Sequence, residues 1–137
     1  MADTQLNPYL TFNGNAREAM EFYRDVLGGS LETQTFAEAD QEMAEADRDK
    51  IIHAQLAAGA VTLMASDSMP GQPVEVGHNV SLSLQGSDQD ALTRIFNGLA
   101  DGGTVTMPMA EQFWGDTFGM LTDRFGINWM VNVSKGA

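Results

Sequence analysis

A segment ending in two glycines occurs twice in this chain, 74 residues apart, and that repetition limits the folds open to it more than any other feature. Phe22-Tyr23-Arg24-Asp25-Val26-Leu27-Gly28-Gly29 is echoed by Phe96-Asn97-Gly98-Leu99-Ala100-Asp101-Gly102-Gly103, with Phe six positions before the first glycine in both. A strand-like run precedes each copy, Tyr9 to Phe12 and Val80 to Leu84. Another follows each, Ser30 to Phe36 and Thr104 to Met109. A strand, a helix, a glycine stop and a strand recurring in one order is the signature of a duplication.

Each half reads the same way in more detail. Asn15 is a helix cap with Glu18 at the reciprocal position, and Ala16, Ala19, Met20, Tyr23, Val26 and Leu27 share one helical face. Gly28 and Gly29 stop that helix. Ile51 to Ala58 and Ala60 to Ser66 read as a hairpin through Gly59, and Asp67 to Gly77, with Pro70, Gly71 and Pro73, reads as a linker. In the second half a strand from His78 to Leu84 is expected. A helix capped by Ser87 with Asp90 in the box position follows, then strands at Thr104 to Met109, Phe118 to Thr122 and Ile127 to Val133. The order is βαβββ twice, with repeats at about 5–67 and 77–134 and a linker at 68–76. The acidic stretch 38–49 lacks the alternating spacing of a calcium loop and reads as a solvated loop or short surface helix.

Size and composition narrow the function classes. A chain of 137 residues, 43% apolar and 19% charged, is one domain or two half-domains sharing a core. No apolar run approaches the roughly 20 residues that cross a bilayer, and no basic, apolar leader opens the sequence. With no cysteine there is no disulfide, thiolate nucleophile or thiolate metal site. These features point to the cytoplasm. A net charge of −12 repels phosphates and anionic lipid, so neither nucleic acid nor membrane is expected as a partner. No nucleophile elbow, P-loop or dinucleotide fingerprint occurs.

Several strings, taken together and in order, resemble the vicinal oxygen chelate superfamily of glyoxalases, bleomycin-resistance proteins and extradiol dioxygenases, and within it the PhnB-like branch. They are Pro8-Tyr9-Leu10-Thr11-Phe12, Gly14-Asn15 with Glu18-Ala19, and Phe22-Tyr23 leading to Gly28-Gly29. His53-Ala54-Gln55-Leu56, Leu63-Met64-Ala65-Ser66-Asp67, Phe113-Trp114-Gly115-Asp116 and Asp123-Arg124-Phe125-Gly126 with Trp129 complete the set. The resemblance implies an α+β fold in which two βαβββ modules form an incomplete, cupped eight-stranded barrel. It also implies a homodimer. A ubiquinone methyltransferase label goes with this branch, yet no glycine-rich strand-turn-helix for S-adenosylmethionine is present.

In metal-using relatives, His, Gln or Glu on four strands hold a divalent ion that polarises vicinal oxygens. By resemblance the four slots fall on Asn7 or Tyr9, Leu63 or Met64, His78 or Asn79, and Met130. Amides and a thioether suit a hard divalent ion poorly, so neither a typical metal site nor a cofactor is expected. His53 and Gln55 share a strand face and are candidates for polar anchors or a proton acceptor; a histidine satisfied by a neighbouring carbonyl is the plainer alternative. His78, at a turn, reads as exposed.

Nine methionines is a high count, and Met64, Met107, Met109, Met120 and Met130 fall on expected strands, as core or as pocket lining. Trp114, before Gly115, is placed at a pocket rim. Asp116, Asp123 and Arg124 sit in turns, where an Asp-Arg pair can recognise a charged substrate group and turn capping is the plainer account of the aspartates. The expected function is capture of a small, partly apolar molecule by Tyr9, His53, Gln55, Met64, Asn79, Trp114 and Met130. The alternatives are a metal-dependent lyase, isomerase or dioxygenase with an atypical ligand set, and a non-catalytic scaffold with a self-filled pocket.

Overall fold

The computed structural model describes residues 4–135. In chain order the elements are β1 (Tyr9–Phe12), α1 (Ala16–Leu27), β2 (Ser30–Thr35), α2 (Phe36–Ala39), a 3-10 turn (Glu45–Asp47), β3 (Ile51–Ala58) and β4 (Val61–Asp67). Then come β5 (Leu82–Gly86), α3 (Gln89–Ala100), β6 (Thr104–Glu111), β7 (Thr117–Thr122) and β8 (Asn128–Val133). The chain divides into two compact units between Glu75 and Val76. Each unit is one βαβββ module with an open four-stranded sheet, ordered β1-β4-β3-β2 in the first and β5-β8-β7-β6 in the second. In both, the first and last strands pair in parallel and the rest are antiparallel.

The duplication extends to single bonds. Ser68 N donates to Phe12 O at 2.7 Å, and Ser134 N donates to Gly86 O at 2.8 Å. Phe12 and Gly86 are the 74-residue partners expected from the glycine pairs.

The first glycine of each pair turns the chain and the second lies against a strand, and Gly29 also takes a positive φ of 94°. Gly28 and Gly102 turn the chain out of α1 and α3 at φ of 80° and 81°, in the left-handed region that side chains disfavour. Gly29 and Gly103 lie against a neighbouring strand, where a Cβ would run into Ala57 O and Thr122 O respectively. Only hydrogen fits between those backbones.

In the first unit, α1 covers one face of the sheet through Ala16, Ala19, Met20 and Tyr23, all buried, against Ala54, Leu56, Leu63 and Ala65. Alternation along β3 and β4 sends His53, Gln55, Met64 and Ser66 to the opposite face. In the second unit, Leu92, Phe96 and Leu99 of α3 pack over the face carrying Leu121, Trp129, Val131 and Val133.

Four local expectations are corrected. Asn15 makes no side-chain cap; the carboxylate of Asp67 takes that role from the end of β4. Its Oδ1 accepts from Gly14 N at 3.0 Å and Ala16 N at 2.8 Å, and Oδ2 accepts from Ile51 N at 2.8 Å. Asp67 is thus buried and structural, the last residue of β4 and not the start of a linker. The second helix is capped by Asp88, whose side chain accepts from Ala91 N, and not by Ser87. Finally, β5 begins at Leu82, so His78 and Asn79 precede it in exposed chain.

The acidic stretch folds as α2 and the 3-10 turn on an exposed surface. Thr35 Oγ1 caps α2 by accepting from Glu38 N, and Lys50 Nζ pairs with Asp47 Oδ1 at 2.9 Å. No helix among the described residues is long and apolar enough to cross a membrane.

Candidate functional site

The helix-free face of the first sheet brings four of the expected site residues together. Register places Tyr9 of β1 opposite Met64 of β4, Met64 opposite Gln55 of β3, and Gln55 opposite Glu32 of β2. One row therefore crosses the sheet as phenol, thioether, amide and carboxylate. His53 sits two residues along β3 on the same face, opposite Gln34. The Tyr9 side chain crosses β4 to reach it: Tyr9 Oη lies 3.0 Å from His53 Nδ1, with ring centroids 5.7 Å apart and planes tilted by 36°. In the Nε2–H tautomer the phenol donates to Nδ1, and its oxygen keeps lone pairs for a further partner.

The corresponding row of the second sheet is Ser83, Met130, Met120 and Met107, on β5, β8, β7 and β6. Ser83 is Tyr9 displaced by the 74-residue repeat. Ser83, and not the expected His78 or Asn79, is thus the counterpart of Tyr9; the 74-residue repeat offset is the sequence signal that points to it. Met120 and Met107 were visible as strand methionines, but their alignment with Met130 needed the register.

Trp114 stands 51% exposed in the turn between β6 and β7, its ring edge-on to Phe113 at 4.9 Å and to Phe118 at 6.3 Å. Asp116 fastens that turn to the end of β8, accepting from Asn132 Nδ2 at 3.0 Å and Lys135 N at 3.2 Å. Asp123 is a turn cap, as its position suggested: Oδ1 accepts from Phe125 N and Ile127 N, and Oδ2 accepts from Trp129 Nε1 at 2.9 Å. Arg124 donates to the Asp101 carbonyl and carboxylate, tying the β7–β8 turn to the end of α3.

The family's metal chemistry can be tested against these donors. The row positions on the outer parallel pairs are Tyr9 and Met64 in one sheet, Ser83 and Met130 in the other. Neither the phenol and thioether of the first sheet nor the hydroxyl and thioether of the second fit a hard divalent ion, which takes carboxylate, imidazole and water. Among the described residues, no three His, Asp or Glu side chains cluster as a metal site.

Paired βαβββ modules, each with a helix on one face of a mixed sheet, define a protein of the glyoxalase/bleomycin-resistance type. The same fold extends to the fosfomycin resistance protein FosX from Mesorhizobium loti (TM-score 0.59, 9% identity, 98% of this chain and 95% of that one). The chain belongs to the family described as 3-demethylubiquinone-9 3-methyltransferase, whose model matches residues 4–132, and so to the PhnB-like branch of the vicinal oxygen chelate superfamily. Protein YjdN of Escherichia coli K12 is 33% identical over 95% of both chains. The crystal structure of protein PA1353 from Pseudomonas aeruginosa is 46% identical, with TM-score 0.86 over 96% of this chain and 98% of that one. A PhnB protein from Bacillus cereus shares the fold at TM-score 0.76 and 23% identity, covering 96% of this chain and all (100%) of that one. Neither sheet is the doubly wound parallel sheet whose switch point holds S-adenosylmethionine in the common methyltransferase fold.

Proposed function

We propose that this single domain of two repeats is a PhnB-like small-molecule-binding protein of the cytoplasm that holds a partly apolar ligand on the helix-free face of its first sheet, without a divalent metal. The Tyr9–His53 hydrogen bond carries the reading. Two side chains from strands separated by β4 are locked together over a sheet face that the helix leaves uncovered. Tyr9 Oη, once it donates to His53, accepts from a ligand hydroxyl or N–H. The Gln55 amide can donate and accept, and Met64 offers an adaptable apolar contact between them. Glu32 at the end of the row and the net charge of −12 disfavour an anion. The ligand class is therefore neutral or cationic, with a flat apolar body and a hydrogen-bond donor.

Thermal-shift measurements with catechol, 1-naphthol and 4-hydroxybenzoate test this. The neutral compounds should raise the melting temperature of the wild type more than that of Tyr9→Phe, and more than the anionic benzoate does. Equal shifts in both proteins would remove the site from this face.

The homodimer implied by the family is part of the same proposal. Leu6, Met69, Val80 and Phe113 are exposed apolar side chains that such an assembly would have reason to cover.

A further inference from the structure

A second row of side chains is not used by the proposed ligand face, although Met130 is among the ligand contacts expected from the sequence. Register lines up Met107 of β6, Met120 of β7 and Met130 of β8 on the helix-free face of the second sheet. Their neighbours on the other face, Leu121, Trp129 and Val131, are buried and form the core. The methionines are not core: Met107 is 39% exposed, and Met120 and Met130 are half-buried. Adjacent strands lie about 4.8 Å apart, and directly paired Cβ atoms about 5 Å. Three flexible thioether arms therefore stand within reach of one point above β7.

The edge strand is shaped around this alignment. Its register shifts twice, between Val105 and Met107 and again between Met107 and Ala110, so Met107 remains opposite Met120 while the residues around it are displaced. Bulges re-aim side chains, and here they isolate one methionine at the end of the row. The same row in the first sheet is Tyr9, Met64, Gln55 and Glu32. At matching positions one copy of the repeat offers mostly oxygen and nitrogen donors, the other offers three sulfurs with the Ser83 hydroxyl beside them.

We infer that Met107, Met120 and Met130 form a binding site for a soft, closed-shell monovalent cation of the Cu⁺ class. Thioethers are neutral, polarisable donors that select Cu⁺ over Mg²⁺, Ca²⁺ or Mn²⁺, and three of them satisfy its low coordination number. The acidic protein attracts cations in general, but only a soft one gains from sulfur. The three methionines belong to the second sheet, and the inference does not rest on the proposed ligand reading.

Ag⁺ is the probe, since it shares the closed shell and softness of Cu⁺ and is stable in air. Silver nitrate is added in chloride-free buffer to protein labelled with ¹³C at the methionine methyls, and bound metal is counted by native mass spectrometry. One Ag⁺ per chain is expected, with the Met107, Met120 and Met130 methyl signals moving together while buried Met20 and half-buried Met109, which packs by Phe96 on the helix side, stay in place. The combined Met107→Leu, Met120→Leu and Met130→Leu variant, nearly isosteric, should bind at least tenfold more weakly with an unchanged circular dichroism spectrum. Wild-type affinity in that variant would overturn the inference. So would wild-type silver binding that moves only the His53 or His78 ring signals, or no binding at all. Tyr9→Phe should leave Ag⁺ affinity unchanged, which separates this result from any failure of the organic-ligand reading.

Discussion

Tyr9 of β1 and His53 of β3 are joined by a 3.0 Å hydrogen bond that passes over the strand between them. The bond fixes the phenol across the face opposite α1 and leaves the sheet with one oriented polar pair. Tyr9→Phe removes only the hydroxyl from a half-exposed position. It should lower stability by no more than about 1 kcal/mol while weakening binding of a neutral phenol severalfold. Urea melts and calorimetric titration with 1-naphthol separate the two effects.

The carboxylate of Asp67 joins three parts of the first unit: the turn before α1, the first residue of α1 and the start of β3. All three donors are backbone N–H groups. Asp67→Ala should destabilise the protein by about 3 kcal/mol, the combined cost of a lost cap and buried donors left without an acceptor. Asp67→Asn should recover only part of that, since its amide nitrogen must face at least one N–H. Equilibrium unfolding in urea measures both.

The glycine pair yields a graded prediction. Gly28→Ala meets no atom within 4 Å and should cost about 1–2 kcal/mol, the price of a left-handed φ. Gly29→Ala places a methyl against the Ala57 carbonyl and should cost more, at least about 2 kcal/mol beyond the Gly28 variant. Gly103→Ala meets Thr122 O in the same way but carries no left-handed φ, so it should cost the clash alone and less than Gly29→Ala. Thermal denaturation of the three variants ranks them.

If the chain works as a homodimer, light scattering should give about twice the 14.8 kDa chain mass at micromolar concentration. A mass equal to one chain across a hundredfold concentration range would exclude the dimer.

Much of the architecture was readable from periodicity. The α1 range, the β3 range and the stop at Gly28 follow from apolar spacing and glycine chemistry, which act locally. What escaped was non-local. Asp67 looked like a linker residue because its partners, Gly14, Ala16 and Ile51, are distant in sequence, and Asn15 looked like the cap because it stands next to the helix. The strand expected from His78 begins at Leu82, since Gly77, His78 and Asn79 carry none of the alternation that continues to Gly86. Within the candidate site, His53 and Gln55 were visible as same-face neighbours by strand alternation. The reach of Tyr9 to His53, and the row of Met107, Met120 and Met130, depend on strand order and register, and no single segment encodes either.

The Tyr9–His53 face is proposed to hold a small neutral or cationic molecule. The most direct test is a ¹H–¹⁵N and methyl spectrum of the wild-type protein during titration with 1-naphthol, with resonances assigned. Saturable shifts centred on Tyr9, His53, Gln55 and Met64 are predicted, weakened severalfold in His53→Ala. Shifts that leave this face unchanged, or that persist with equal affinity in His53→Ala, would contradict it.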